Sequence, residues 1–410
     1  MNKVYNTVWN ESTGMWVVTS ELTRKGGRRP RQIRRTALAG LIAGLFLPSA
    51  PALAVDYNNE TLGSGATSSS MSLNAGDTAT DTTINSGGNQ YVSGGGSATS
   101  TTINSGGYQY VSSGGSATDT TINSGGSQYV SSGGSATSTT INNGGNQYVS
   151  SGGSATDTTV NNGGQYIYDS ASATSTTVNN GWQYIYDSAS ATSTTVNNGW
   201  QYINSGGSAT DTTVNGGVQY IYSGGSATDT TVNGGSQDIY SGGSATSTTI
   251  NSGGSQYVSS GGSATSTTIN NGGNQYVSSG GSATDTTLNS GGYQYIDDSA
   301  SVTSTTINSG GYQSVSSGGS ATDTIINSGG ILGVSGGGTA VDITQNSGGA
   351  ISADTSVALS GTNINGSFSI ANGSASNMLL ENGGYLAVLN GHQATDTTIN
   401  SGGSQYVSSG

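Results

Sequence analysis

The chain has 410 residues with no cysteine, 7% charged and 31% hydrophobic residues, and 70 glycines. This composition excludes a disulfide-stapled domain, a thiolate zinc site and an ordinary globular enzyme of mixed helices and sheets. All eight Lys and Arg and all three prolines lie in the first 54 residues, so residues 55–410 hold 19 acidic residues and a formal charge of −19. Such a surface repels nucleic-acid backbones and anionic headgroups, which require basic partners, and no nucleic-acid partner is expected.

In chain order, a basic cluster (Arg24, Lys25, Arg28, Arg29, Arg31, Arg34, Arg35) precedes the apolar run Ala37–Leu47. That run is shorter than the roughly 20 residues a membrane-spanning helix needs. It ends at Pro48, Ser49 and the small-x-small pattern Ala52-Leu53-Ala54, which places a signal-peptide cut between Ala54 and Val55. The extension ahead of it, with Asn6, Trp9, Trp16, Val17 and Ser20 in a recognisable frame, resembles the extended signal-peptide region of large Gram-negative autotransporters. The resemblance implies that export machinery carries the chain into the periplasm and then across the outer membrane. A cysteine-free chain suits an oxidising route.

Beyond residue 80 the chain repeats a unit close to GGxQYVSSGGSATDTTINS. One aliphatic column runs Ile84, Ile103, Ile122, Ile141, Val160; a second runs Val92, Val111, Val130, Val149, Ile167. The spacing is 19 residues, changes to 18 between Val160 and Ile250, and then returns to 19. Each unit offers two short runs rich in Val, Ile, Thr and Tyr, too short for helices, and these are predicted as strands. Burying two aliphatics contributes roughly 3 to 6 kcal/mol, far below the cost of ordering a whole unit, so stability has to come from stacking. The predicted fold is all-β, a right-handed parallel β-helix with one repeat of 18–19 residues per turn and about 17 turns. The rival state for a Gly/Ser/Thr-rich chain is disorder, against which stand the unbroken aliphatic columns.

The predicted organisation is an extended signal peptide over 1–54 that is removed, an N-terminal cap over 55–80 and regular repeats over 81–350. An irregular turn or insertion over 351–378 and resumed repeats over 379–410 complete it. The short units are expected to lose their residue in the YDSASA corner (Tyr168 to Ala173). The chain stops inside a repeat with no alternating membrane strands, so it reads as an N-terminal fragment of a longer protein. A product ending there would stay in the periplasm.

Stacking turns each repeat position into a column. Tyr91, Tyr110, Tyr129 and Tyr148 alternate with inward aliphatics and are expected to form an outward aromatic ladder. The Asn85 column is expected to take left-handed corner conformations and to stack its amides, and the Gln90 column to form a similar ladder. The Asp81, Asp119 and Asp157 column reads as solubilising. With one histidine (His392) and neither cysteine nor exported lysine, no catalytic residue, cofactor or metal ligand is expected, and the chain is not read as an enzyme. A calcium-binding solenoid lacks its GGxGxD frame here. An ice-binding solenoid would need the Thr-x-Thr runs in the open, although Thr101 shares a face with Ile103.

The repeat, with QYVSSGGSAT and TTINSGG as its segments, resembles the passengers of self-associating autotransporter adhesins of the AIDA and TibA type, nearest their glycosylated, TibA-like members. The resemblance implies a surface-displayed passenger that mediates host-cell adhesion, autoaggregation and biofilm formation, with self and the host-cell surface as partners. It also implies O-heptosylation by a cytoplasmic heptosyltransferase before export, and the loop serines Ser86, Ser105, Ser112, Ser113, Ser116, Ser132 and Ser135 are the candidate acceptors because an enzyme has to reach them. The alternative is a passive stalk that holds a separate binding tip away from the cell.

Overall fold

The computed structural model describes residues 5–10, 15–20 and 53–409, which divide into a leader unit (1–53) and a second unit (54–410). In the leader, Tyr5–Asn10 pairs antiparallel with Met15–Ser20, bringing Trp9 opposite Trp16. The basic cluster and the apolar run of the export signal lie outside the described residues.

The second unit is a parallel β-solenoid whose coil carries three strands, one more than the sequence pattern predicts. A representative coil runs Tyr108–Val111, Ser116–Thr118 and Thr121–Ile122. The run expected as one strand splits because Asp119 sits at φ 55°. The same left-handed bend recurs at Asp81, Ser100, Ser138 and Asp157, with φ between 54° and 57°. A short polar side chain tolerates that conformation better than a branched one. The Asp/Ser column, read as merely solubilising, therefore bends the coil. The Asn column, expected in left-handed corners, does not bend it: Asn85, Asn104 and Asn123 keep negative φ and contribute only their stacked amides.

Like pairs with like from coil to coil. Tyr108–Val111 lies in register with Ser127–Val130, one 19-residue unit on, so that Gln109, Tyr110 and Val111 face Gln128, Tyr129 and Val130. The face built from these Gln-Tyr strands holds 18 strands between Ser70–Leu73 and Ser404–Val407. At about 4.8 Å per strand the stack is roughly 80 Å long. The segment read as a cap winds into the same stack, since Asp56–Asn58, Thr61–Leu62 and Ser70–Leu73 pair with Thr78–Thr80, Thr83–Ile84 and Asn89–Val92.

The interior is mostly apolar, with buried Gln and Thr columns beside the aliphatic ones. Gln109, Val111, Ala117, Thr120 and Ile122 all point inward and are at most 1% exposed. Burying an amide without partners costs several kcal/mol, yet the Gln amides are satisfied by one another. Gln109 Nε2 donates to Gln90 Oε1 at 2.7 Å, Gln128 repeats the bond to Gln109 at 2.7 Å, and Thr120 Oγ1 donates to Gln109 Oε1 at 3.4 Å. The chain of amides continues to Gln313 and ends against Leu332.

Two corners join the strands. At the Ser-Gly-Gly corner Gly114 takes φ +78°, and the buried Gly115 lies so close to the preceding coil that a Cβ there would be 2.2 Å from the Val92 carbonyl oxygen. The first glycine is needed for its conformation and the second for its lack of a side chain. The short coils lose their residue at the other corner, not in YDSASA as the sequence reading placed it. Ser154–Thr156 and Ser172–Thr174 remain in full register, while Asn142 to Asn146 (NNGGN) is replaced by Asn161 to Gly164 (NNGG). The tightened corner then packs glycine on glycine: a Cβ on Gly181 would fall 2.3 Å from the Gly163 carbonyl oxygen.

Within 351–378 the regular winding gives way to Ala358–Asn363, Gly366–Ala371 and Ser374–Ser376, paired antiparallel in succession. The Gln-Tyr face bypasses them, with Ala350–Asp354 pairing directly to Tyr385–Val388. Phe368 and Ile370 anchor the insertion in the core at 3% and 1% exposure.

Candidate functional surface

Three rows of side chains line the outside of the stack. The first row comes from the Asn-Ser-Gly-Gly corner, where Ser86 and Ser105 are exposed. The second comes from the opposite corner, where Ser113 and Ser132 are exposed at φ 50° and 49°. Those corners are tied along the stack by their own backbone, as Ser113 N–H donates to the Ser132 carbonyl at 3.0 Å and Ser132 N–H to Ser151 at 3.0 Å. The hydroxyls thus stand on a fixed frame at the strand repeat, about 4.8 Å apart. Ser112, next to this corner, is half-buried. Ser116 and Ser135, expected in loops, instead open the strands Ser116–Thr118 and Ser135–Thr137 and are half-buried, because the left-handed corner ends one residue earlier than the polar run suggests.

The third row is aromatic. Tyr91, Tyr110, Tyr129 and Tyr148 face outward and stack with centroids 4.9 to 5.2 Å apart. Tyr91, at the end of the row, is 43% exposed, whereas Tyr110, Tyr129 and Tyr148 are half-buried by each other's rings. Burial, and then the neighbouring tyrosines, push the hydroxyls of Tyr110, Tyr148 and Tyr202 above the ordinary tyrosine value. A second row, missed in the sequence, accompanies the short coils: Tyr168 stacks on Tyr186 at 5.3 Å and Tyr222 on Tyr240 at 5.4 Å. The signal for it was the change from VSS to IYD or IYS after the first aliphatic.

The second threonine of each Thr-x-Thr run points inward; Thr101 is fully buried and donates to Gln90 Oε1. No flat Thr-x-Thr array is therefore presented. Among the described residues no group of three or more His, Asp or Glu side chains converges as a metal site. His392 Nδ1 lies 2.8 Å from Thr355 Oγ1, beside the insertion. At the start of the stack Asp77 accepts hydrogen bonds from the backbone N–H groups of Asn74 and Val55, both at 2.9 Å, which hold its carboxyl below the usual value. Val55, the expected first residue after cleavage, is thereby tied to the first coil.

The family described as "Adhesin of bacterial autotransporter system, probable stalk" matches residues 66–107, 104–145, 141–182, 232–273, 255–311 and 360–410, together more than half of the chain. The extended signal peptide of the type V secretion system matches residues 1–50. Autotransporter CRAC of Citrobacter rodentium (strain ICC168) is 97% identical over 93 residues, which are 23% of this chain and 6% of that protein. Autotransporter adhesin/invasin TibA of Escherichia coli O78:H11 is 78% identical over 92 residues, 22% of this chain and 9% of that protein. The matched segments are thus under a tenth of these relatives' own length. A crystal structure of a TibC-catalysed, hyper-glycosylated TibA55–350 fragment aligns at 51% identity over 74% of this chain and 99% of that one, with a TM-score of 0.47. The chain belongs to the adhesins of the bacterial autotransporter system and carries their stalk repeats behind an extended type V signal peptide.

Proposed function

We propose that the solenoid is the exported shaft of a cell-surface adhesin, O-heptosylated on its corner serines, and that it promotes host-cell attachment, autoaggregation and biofilm formation by many weak contacts along its length. The observation that carries this reading is a pair of exposed hydroxyl rows, Ser113 with Ser132 and Ser151 on a hydrogen-bonded frame, and Ser86 with Ser105 and Ser124 at the other corner, where Asn143, Asn162, Asn180, Asn198, Gly216 and Gly234 interrupt the row before Ser252. A row of equivalent sites converts feeble individual contacts into avidity, because each bound coil raises the effective concentration of the next. The TibA relative is named an adhesin/invasin, and its fragment carries glycans placed by TibC. The corners keep sugars on these serines outside the finished stack.

Intact-mass measurement of the exported chain, from cells with and without the glycosyltransferase, tests the modification. The expected result is a ladder of single-heptose increments that disappears with the enzyme. A single mass equal to the bare polypeptide in both strains overturns it.

A passive shaft is the second reading, favoured by the stalk description of the matching family. Removal of successive whole coils separates the two. Aggregation that falls in proportion to the coils lost supports contact along the length, and aggregation that is unchanged supports a shaft that only carries a tip.

A further inference from the structure

Between Tyr91 and Tyr295 the aromatic row is interrupted at one coil. Asp238 takes the place held by Tyr220 in the coil before and Tyr257 in the coil after. Elsewhere in this row the rings stack at 4.6 to 5.3 Å, including Tyr202 on Tyr220 and Tyr257 on Tyr276 at 5.0 Å each. With one ring replaced, Tyr220 and Tyr257 stand two strand spacings apart, about 9.6 Å. That leaves the place of one planar group between two aromatic faces.

Independent features show that one wall of this place is exposed and that its floor is chemically biased. Tyr257 is 45% exposed, more than Tyr91 at 43%, which has no ring on its outer side. Tyr257 therefore behaves as a row end inside the row. Tyr240 closes another side, edge-on to Tyr220 at 6.5 Å and 74°. At the floor, Asp238 Oδ1 is shielded from solvent and accepts no hydrogen bond. Burial pushes this carboxyl up. Residues 55–410 contain no Lys or Arg, so no cationic side chain of the exported chain can pair with this carboxylate.

We infer that the gap at Asp238 is a recognition site for a guanidinium group, an arginine side chain of a partner protein that enters between Tyr220 and Tyr257 and donates to Asp238. A guanidinium matches each wall of the site. It is planar and stacks on aromatic faces, it stays charged, and it presents parallel N–H donors to a carboxylate. A lysine ammonium is a strongly hydrated point charge without a stacking face, and it fits less well.

The substitution Asp238→Tyr restores the ring that the other coils carry and so keeps the fold, while Asp238→Asn keeps size and removes charge. Titration of the exported chain with N-acetyl-arginine amide, followed by saturation-transfer NMR, is expected to show saturable binding. Binding should fall roughly tenfold in Asp238→Asn, vanish in Asp238→Tyr, and be weaker for N-acetyl-lysine amide. Equal binding by the parent and Asp238→Tyr, or by the arginine and lysine probes, overturns the proposal. A short peptide with one internal arginine is the second arm, and binding of N-acetyl-arginine amide without binding of this peptide overturns the assignment to a partner protein.

Discussion

The regular coils and the stretch around the insertion solve the same problem in opposite ways. Along the two amide columns of the regular coils each amide finds an identical amide one coil away, as in Asn104 to Asn85 and Gln201 to Gln183. Around the insertion the partners are unlike. Glu381 accepts the Gly348 N–H and the Asn400 amide, Gln345 Nε2 donates to the carbonyls of Gly349 and Leu379, and Asn377 Nδ2 donates to the carbonyl of Ser367. Repetition makes satisfaction automatic, whereas an interruption needs particular residues at particular places. Even so, Gln345 Oε1 is left without a partner.

The largest effect should come from breaking the repeat itself. Deletion of residues 255–263, half a coil, turns inward positions outward in every later pairing, and the cooperative melt by circular dichroism should be lost beyond that point. Deletion of 255–273, one whole coil, lets Ser236–Ile239 pair with Asn274–Val277 and should leave the melt nearly unchanged. A melt lost in both would mean that coils are not interchangeable.

Next in size is Gln201→Ala, which removes the donor to Gln183 and the acceptor for Gln219 and Thr212. It should cost about 3 kcal/mol locally, read as faster amide hydrogen exchange in the coils on either side. Glu381→Ala orphans the Gly348 N–H and should cost about 1 to 3 kcal/mol, with exchange altered near the insertion and not along the Gln row. Comparable exchange changes throughout the stack would erase the distinction between the two regions.

The smallest effect is alkaline. The hydroxyls of Tyr110, Tyr148, Tyr184 and Tyr202 are raised in the folded chain, first by burial and then by neighbouring tyrosines. The neutral form is thus favoured by folding, so this stabilisation is complete below about pH 10 and is lost as pH rises through the raised folded values. Tyrosinate absorbance of the folded chain should lag that of the urea-unfolded chain, and coincident curves would contradict the burial of the rings.

Much of the shaft was legible in the sequence because a 19-residue period marks the inward aliphatics directly: Val111 and Ile122 are buried where their columns placed them. The third strand was not, since Asp119 resembles any solvent-facing acid until its φ is known. The short corner was misplaced because YDSASA changes composition conspicuously, while the real loss is one residue between Asn161 and Gly164. The insertion is built from singular contacts that no period announces. Asp238 was visible as QDIY among QYIY segments, but its meaning depended on which rings stand beside it.

The corner geometry at Gly114 and Gly115 carries a wider implication. Each corner is closed against the coil beneath it and hands its own N–H to the coil above, as Ser113 does to Ser132. Gain or loss of a complete unit leaves every seam matched and so yields another foldable shaft. The reach of such a molecule can drift in whole-number steps without any new side chain having to be found.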